Sequence, residues 1–297
     1  MALMIRGSNP SSVFNLCGSD ENSATYALGW VLERSLNFRS NMIRAWLGKQ
    51  MSVSDTVISL QKHGNDGGYT DIEVHAGAQF HIILEAKRWW DVPTKEQLLK
   101  YRPRLTTLGA DIQRLVSISS ADVGFAYRRL PKHVEAVEVV HQSWGDIQKL
   151  ARKSHDAAAS FEEKLWLRHL IQHLQEFVAM DRLKDNTAFV VSLAAQPMVE
   201  GHKHTWIDVV EKDKCYFHPV GKGWPVQPPN YIAFRYKGKL QSVHHIDSFE
   251  VVEDISKVNR LWLKTNSDHF VYRLGPSMLP LVQKNAGKIF WGARVYC

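Results

Sequence analysis

The apolar run Ile82-Ile83-Leu84 passes directly into Glu85-Ala86-Lys87. Successive apolar positions of this length mark a strand buried on both faces. Charges at the end of such a strand are costly unless they are paired or used. Residues two apart on a strand share a face, so Glu85 and Lys87 are neighbours. Residues 70–75 alternate polar and apolar, and Ala76-Gly77-Ala78 is a hairpin-sized turn between the two strands. Pairing as a hairpin brings Asp71 beside Glu85. Two carboxylates and the Ala86 carbonyl then form an all-oxygen site suited to Mg2+ or Mn2+. Lys87 stands where it can orient a water or stabilise developing negative charge. Glu73 shares the Asp71 face and competes for the same role.

The elements around this hairpin follow from periodicity. Ala24, Ala27, Leu28, Val31 and Leu32 recur at helical spacing, with Ser19 as N-cap and Asp20 and Glu21 at the positive end of the dipole. Further helices are expected over 41–47, 94–101, 144–153 and 156–180. Strands are expected over 53–61, 79–86, 114–119 and 134–141, with a loop over 62–68. Near residue 185 helical periodicity fades. Short strands are then expected at 187–193, 205–210, 214–218, 231–236, 240–245, 249–252, 260–263 and 270–274. The chain of 297 residues thus reads as an α/β domain over 1–182 and a smaller, mainly β domain over 185–297, a barrel or sandwich.

Composition narrows the setting. Hydrophobic residues are 44% and charged residues 23%, ordinary for a folded globular chain. No apolar run approaches the roughly 18–20 residues of a membrane span, and no secretory leader is evident at the N-terminus. Three widely spaced cysteines signal neither a disulfide framework nor a zinc site. A cytoplasmic protein without a membrane partner is expected. The net charge of +7 is shared between both parts, so any basic surface has to be assembled by folding.

The ordered set Glu21, Thr70-Asp71, Glu85-Ala86-Lys87 and Gln97-Leu98-Leu99-Lys100-Tyr101 resembles the PD-(D/E)XK nuclease superfamily, the restriction-endonuclease-like fold. Thr70 stands where the motif name has Pro, and the last segment is similar to the Q-x-x-x-Y motif of its RecB-like branches. E-x-K alone has little specificity; the order and structural context carry the resemblance, over about residues 15–155. It implies a central mixed sheet flanked by helices and Mg2+- or Mn2+-dependent phosphodiester hydrolysis, with DNA the favoured substrate. It implies Asp71, Glu85, Lys87 and Gln97 as catalytic residues, and Asp71, Glu85, Ala86 and Glu21 as metal ligands. Tyr101, Lys95 and Lys100 are expected at the nucleic acid, with Arg102 and Arg104 as further phosphate contacts. Trp89-Trp90 offers an indole for base stacking, at least one of the pair being expected in the core. A restriction or antiphage-defence effector fits such a chain, with a second copy or a defence-system protein as partner.

In the second part, Tyr216, Phe217, Trp224, Tyr231, Phe234 and Tyr236 interleave with Lys222, Arg235, Lys237 and Lys239. Aromatic and basic groups together suit a nucleic-acid or nucleotide surface, and Trp224, Arg235 and Lys237 are the candidates. The alternative is an aromatic core. The pattern is loosely similar to PUA-like barrels, which implies a base pocket. His202, His204, His244 and His245 invite a zinc site, but adjacent strand residues face opposite ways and cannot share an ion. Two other function classes remain: a catalytically silent nucleic-acid-binding or assembly protein, and a nuclease gated by a small nucleotide on the β domain.

Overall fold

The structure, a computed structural model, describes residues 3–5, 7, 9–64, 68–183, 188–198, 203–221, 223–226, 228–278 and 294–296. The chain divides into two compact units, Met1–Met180 and Asp181–Cys297.

In the first unit a turn of 3-10 helix (Val13–Cys17) leads to α1 (Glu21–Arg34). Its N-cap is Asp20 rather than Ser19: the Asp20 carboxylate accepts from the Ser23 N–H at 2.9 Å. Ser35 ends α1 and caps α2 (Leu36–Leu47), which stops at Gly48, where φ is 72°. The sheet strands are β1 (Val57–His63), β2 (Tyr69–Ala76) and β3 (Phe80–Ala86). Short helices α3 (Lys95–Lys100) and α4 (Arg102–Thr107) cross to β4 (Ile112–Ser119). Then come α5 (Val123–Tyr127), β5 (His133–Val134), β6 (Val137–Ser143), α6 (Trp144–Ala157) and α7 (Phe161–Leu183).

The strand order is β1-β2-β3-β4-β6-β5. β1, β2 and β3 form an antiparallel meander, whereas β3-β4 and β4-β6 are parallel. The parallel pairs need crossovers, which α3 with α4, and α5, supply. β3 is central and all seven of its residues are buried. One sheet face, with Ile72, Val74, Ile82, Leu84, Val116 and Ile118, packs on apolar residues of α1, α2, α6 and α7. Each such side chain contributes about 1.5–3 kcal/mol over its exposed state. α1 lies close on β1 because residue 29 is glycine: a Cβ there would stand 2.4 Å from Leu60 Cδ2. This approach sets where the first turn of α1, with Glu21, meets the sheet.

The second unit contains β7 (Ala188–Ser192), α8 (Trp206–Glu211), β8 (Cys215–Pro219), β9 (Tyr231–Tyr236), β10 (Lys239–Val252), β11 (His269–Met278) and β12 (Arg294–Tyr296). These strands form one sheet, order β12-β7-β9-β10-β11-β8, with β7-β9 parallel and the other pairs antiparallel. The expected mainly β second part is thus one sheet, in which no pairing of β12 with β8 is present among the described residues.

Several expectations need correction. Residues 205–210 are helical, not extended. Thr205 and Asp208 form a capping box, with Asp208 N donating to Thr205 Oγ1 at 3.2 Å and Thr205 N to Asp208 Oδ2 at 2.9 Å. Residues 260–263 form a turn held by Trp262 N donating to Asn259 O at 3.0 Å. The expected strands 240–245 and 249–252 are one strand, β10, with register shifts between His244 and Ser248. β1 starts at Val57 rather than 53, and the strand expected at 134–141 is broken by a reversal at Glu135, where φ is 52°. α4 and α5 had no counterpart among the expected elements, and part of the loop at 62–68 lies outside the described residues.

Leu84→Ala removes a fully buried side chain from the central strand. It is expected to lower unfolding free energy by about 2–5 kcal/mol, measured by urea titration.

Candidate active site

The β2–β3 register pairs Ile72 with Leu84. One step further along the same register, Asp71 stands opposite Glu85, and the β1–β2 register places Gln61 opposite Asp71. Like charges facing across a strand pair destabilise it unless something holds them. Asp71 Oδ2 accepts from the Ala86 N–H at 2.7 Å, and Oδ1 from Gln61 Nε2 at 3.2 Å. Glu85 Oε1 accepts from Lys87 Nζ at 2.5 Å and from Gln97 Nε2, and Oε2 from the Tyr101 hydroxyl at 2.5 Å. Thr94 caps α3 by accepting from the Gln97 N–H at 3.2 Å. That cap starts the helix where Gln97 and Tyr101, four apart, both reach Glu85.

The electrostatics are those of crowded carboxylates. Glu85 is 5% exposed. Burial pushes its carboxyl up, and Asp71 adds to this; Lys87 and Tyr101 pull the other way without cancelling the rise. Burial also raises Asp71, against the Ala86 and Gln61 hydrogen bonds and the Lys87 charge. Glu21, half-buried at the start of α1, is pushed up to about 7 by burial, then by Asp71 and Glu85, with Lys87 and Arg88 opposing. Burial works against the Lys87 ammonium, yet Glu85, Glu21 and Asp71 hold its pKa above the ordinary lysine value. Burial and then Glu85 push the Tyr101 phenol up, so it stays a donor.

Three carboxylates facing one ammonium suit a hard divalent cation. A carboxylate offers about four lone-pair sites, and the contacts above leave acceptor capacity on both Asp71 and Glu85. In an extended strand a residue's N–H and C=O point to the same side. The Ala86 carbonyl therefore points toward the side from which Asp71 takes its N–H. Among the described residues no three His, Cys, Asp or Glu side chains stand as a ready-made metal cage. The donors on hand are Asp71, Glu85 and the Ala86 carbonyl, with Glu21 within electrostatic reach.

Glu73, the competing ligand, is taken up elsewhere. It is 1% exposed and meets Lys62 Nζ at 2.9 Å, Thr70 Oγ1 at 3.1 Å, His81 Nε2 at 3.4 Å and Arg104 at 3.5 Å. Burial alone would raise its carboxyl, but His81, Lys62 and Thr70 outweigh it and bring it down to about 2. Arg104 also donates to the Lys62 and Gly68 carbonyls, at 2.9 and 2.6 Å, and Arg102 meets Glu135 at 3.0 Å. Both arginines are thus engaged within the fold. Lys95 and Lys100 are exposed on α3. Tyr101, expected at the nucleic acid, is instead 6% exposed with its hydroxyl on Glu85, which makes it a positioning group.

The second-unit candidates do not form one visible cluster. Trp224 is half-buried, stacked on His218 at 5.1 Å and tilted against Phe189 at 5.9 Å. Arg235 is half-buried in β9, and Lys237 is exposed in the β9–β10 turn with φ 51°. Tyr216, Phe217 and Phe234 are core. His204 bonds Asp213, His244 bonds the Gly275 carbonyl and His245 bonds Asp247, so the described histidines gather around no common point. Lys222 and His202 lie outside the described residues.

Gln61 and Asn22 escaped sequence reasoning. Gln61 Nε2 bridges Asp71 Oδ1 and Asn22 Oδ1, each at 3.2 Å, tying the first turn of α1 to the site. Its backbone is left-handed at φ 46°, uncommon for a non-glycine residue in a strand. The one signal was register: counting back from the hairpin along β1 puts Gln61 across from Asp71. No protein-family model, curated protein or solved structure matches the chain.

Two outcomes are expected. Gln61→Ala and Gln61→Gly should each weaken Mn2+ binding roughly 10–100-fold by calorimetry, because both remove the amide that orients Asp71. The glycine variant should be the more stable of the two, since it relieves the left-handed backbone. The second outcome concerns pH. A carboxyl raised on folding stabilises the metal-free protein below its unfolded pKa, and that stability is lost as pH rises through the folded value. Metal-free wild type should therefore lose thermal stability relative to Glu21→Gln between about pH 4.5 and 7. Comparing the two proteins removes the opposite trend from His141 and His173, both lowered mainly by burial.

Proposed function

We propose that the first unit is a Mg2+- or Mn2+-dependent nuclease that hydrolyses phosphodiester bonds, with DNA the favoured substrate. One observation carries the proposal: Glu85, buried at the end of the central strand, takes Lys87, Gln97 and Tyr101 on its carboxylate while Asp71 stands opposite and Glu21 lies within electrostatic reach. A structural ion pair would need Lys87 alone. The arrangement agrees with the PD-(D/E)XK resemblance, from which the restriction or antiphage setting follows.

Asp71, Glu85 and the Ala86 carbonyl would hold the cation, and Glu21 would join them as it loses its proton near neutrality. The bound ion would supply Lewis acidity at the phosphoryl group and a water of lowered pKa. Gln97 and Tyr101 fix the rotamer of Glu85, so its remaining lone pair keeps one direction. Lys87 is a donor rather than a base at neutral pH, because its pKa lies above the ordinary lysine value. Its ammonium sits beside the carboxylates, where a phosphate oxygen gains charge in the transition state. The exposed Lys95 and Lys100 supply phosphate attraction, and the second unit, with Lys237 at its surface, would hold more of the nucleic acid.

The test incubates purified protein with supercoiled plasmid, linear DNA and RNA in Mg2+, Mn2+ or EDTA. Cleavage should need the metal. Lys87→Ala should lower kcat roughly 100–1000-fold while binding of uncut DNA changes little. Wild type that cuts none of these substrates in either metal would end the nuclease proposal, and folded Asp71→Asn and Glu85→Gln proteins that cut at the wild-type rate would remove these carboxylates from the site.

A further inference from the structure

The chain leaves β3 through Lys87-Arg88-Trp89-Trp90, and the two adjacent indoles go different ways. Trp90 turns inward and packs edge-on against Phe125, with centroids 5.0 Å apart. Trp89 turns outward and is 38% exposed, two residues beyond the ammonium that pairs with Glu85. The Arg88 guanidinium lies over the Trp89 ring, 4.9 Å from its centroid. The same guanidinium is near enough to the carboxylates to oppose the rise in Glu21.

This presentation is held against a backbone preference. Trp89 has φ 53°, the left-handed region, where a bulky side chain is an outlier. Lys87 N donates to the Ile118 carbonyl at 2.8 Å, and Ser120 N to the Trp89 carbonyl at 2.5 Å, so the segment is pinned to the end of β4 on both sides of the bend. An anchored, left-handed backbone thus holds more than a third of the Trp89 surface open to solvent beside Lys87.

We propose that Trp89, with Arg88 on its ring, is the platform on which an unpaired base next to the cleaved phosphate stacks, so that the substrate is a single strand, a frayed end or a locally opened duplex. The proposal rests on the nuclease reading of the adjacent carboxylates and adds the substrate class. An indole offers its face to any base, and within an intact duplex the bases already stack on one another. Arg88 adds positive charge beside the strand's phosphate and restricts the ring to one orientation.

The test is binding in EDTA, where cleavage does not interfere. Fluorescence anisotropy follows labelled DNA of about 16 nucleotides, single-stranded and as a blunt duplex, with full-length wild type, Trp89→Ala and Trp89→Phe. Single strand should bind more tightly than duplex. Trp89→Ala should weaken single-strand binding roughly 5–100-fold, and Trp89→Phe should recover most of the loss. One abasic position in the strand should weaken wild type and leave Trp89→Ala unaffected. Circular dichroism and melting identify any variant that fails to fold; in that case the abasic series on Trp89→Phe, with a smaller penalty at the same position, provides the readout. Equal single-strand affinity of wild type and folded Trp89→Ala, or the same abasic penalty in both, would overturn the platform. So would wild type binding neither DNA. Loss of the platform with metal-dependent cutting intact leaves the nuclease standing. An abasic penalty specific to wild type, without cutting in Mg2+ or Mn2+, leaves the platform standing and removes the nuclease.

Discussion

The first unit is organised around one unfavourable pair: Asp71 and Glu85 face each other across the β2–β3 hairpin, both largely removed from water. Facing carboxylates weaken a strand pair, and burial makes each harder to ionise. The surroundings answer each oxygen with a donor. The last residue of β3 gives its Ala86 N–H to Asp71, Lys87 just beyond it gives its ammonium to Glu85, and α3 with its C-cap adds Gln97 and Tyr101. The apolar half of the sheet, packed on four helices, fixes the hairpin from behind. Neither carboxylate can escape by strand slippage, because a one-residue shift of either strand would turn its own carboxylate into that apolar core.

Asp71 and Glu73 show how neighbours decide what a carboxylate becomes. They lie two apart on one face of β2, and both are mostly buried. Glu73 meets Lys62, Arg104, His81 and Thr70, and its carboxyl falls to about 2. Asp71 has two hydrogen bonds from neutral donors and a shared ammonium nearby, and its carboxyl is raised. A group that is fully paired has no reason to bind a cation. One that is held but undercharged does. The same face thus carries a clasp for the β1–β2 hairpin and, one pleat along, a centre with negative charge to spare.

What the sequence made legible follows from the range of the interactions involved. The hairpin, the buried run at 82–84, α1 and α7 were readable because local periodicity and burial agree there. So was the convergence of Glu85 with Lys87, which needs only the two-residue repeat. Helix α8 was missed because Trp206, Val209 and Val210 fit a short strand as easily as one turn and a half of helix; the Thr205–Asp208 capping box decides it. Trp262 read as strand because its burial comes from packing on Phe217, and its indole N–H donates to Asp213, 49 residues away in sequence. Tyr101 was expected at the nucleic acid, and no local signal shows that its side of a short helix meets the end of β3 at Glu85. Gln61 was overlooked because its role shows only once the β1–β2 register is known, and no local signal sets that register.

Two of the five described non-glycine residues with left-handed backbones share a place in the fold. Gln61 and Trp89 both hold φ near +50° without being glycine, and they flank the carboxylates, one across from Asp71 and one beyond Lys87. Such conformations cost on the order of 1–3 kcal/mol each and persist only where the surroundings over-determine them. At Gln61 the ladder bonds on either side and the amide bridge to Asp71 and Asn22 do so. At Trp89 the bonds to the end of β4 do so. At Gln61 the register by itself already sets the side chain on the Asp71 face, and the amide bridge holds it there. The left-handed segments therefore hold a polar group and an aromatic ring beside carboxylates that burial makes hard to ionise.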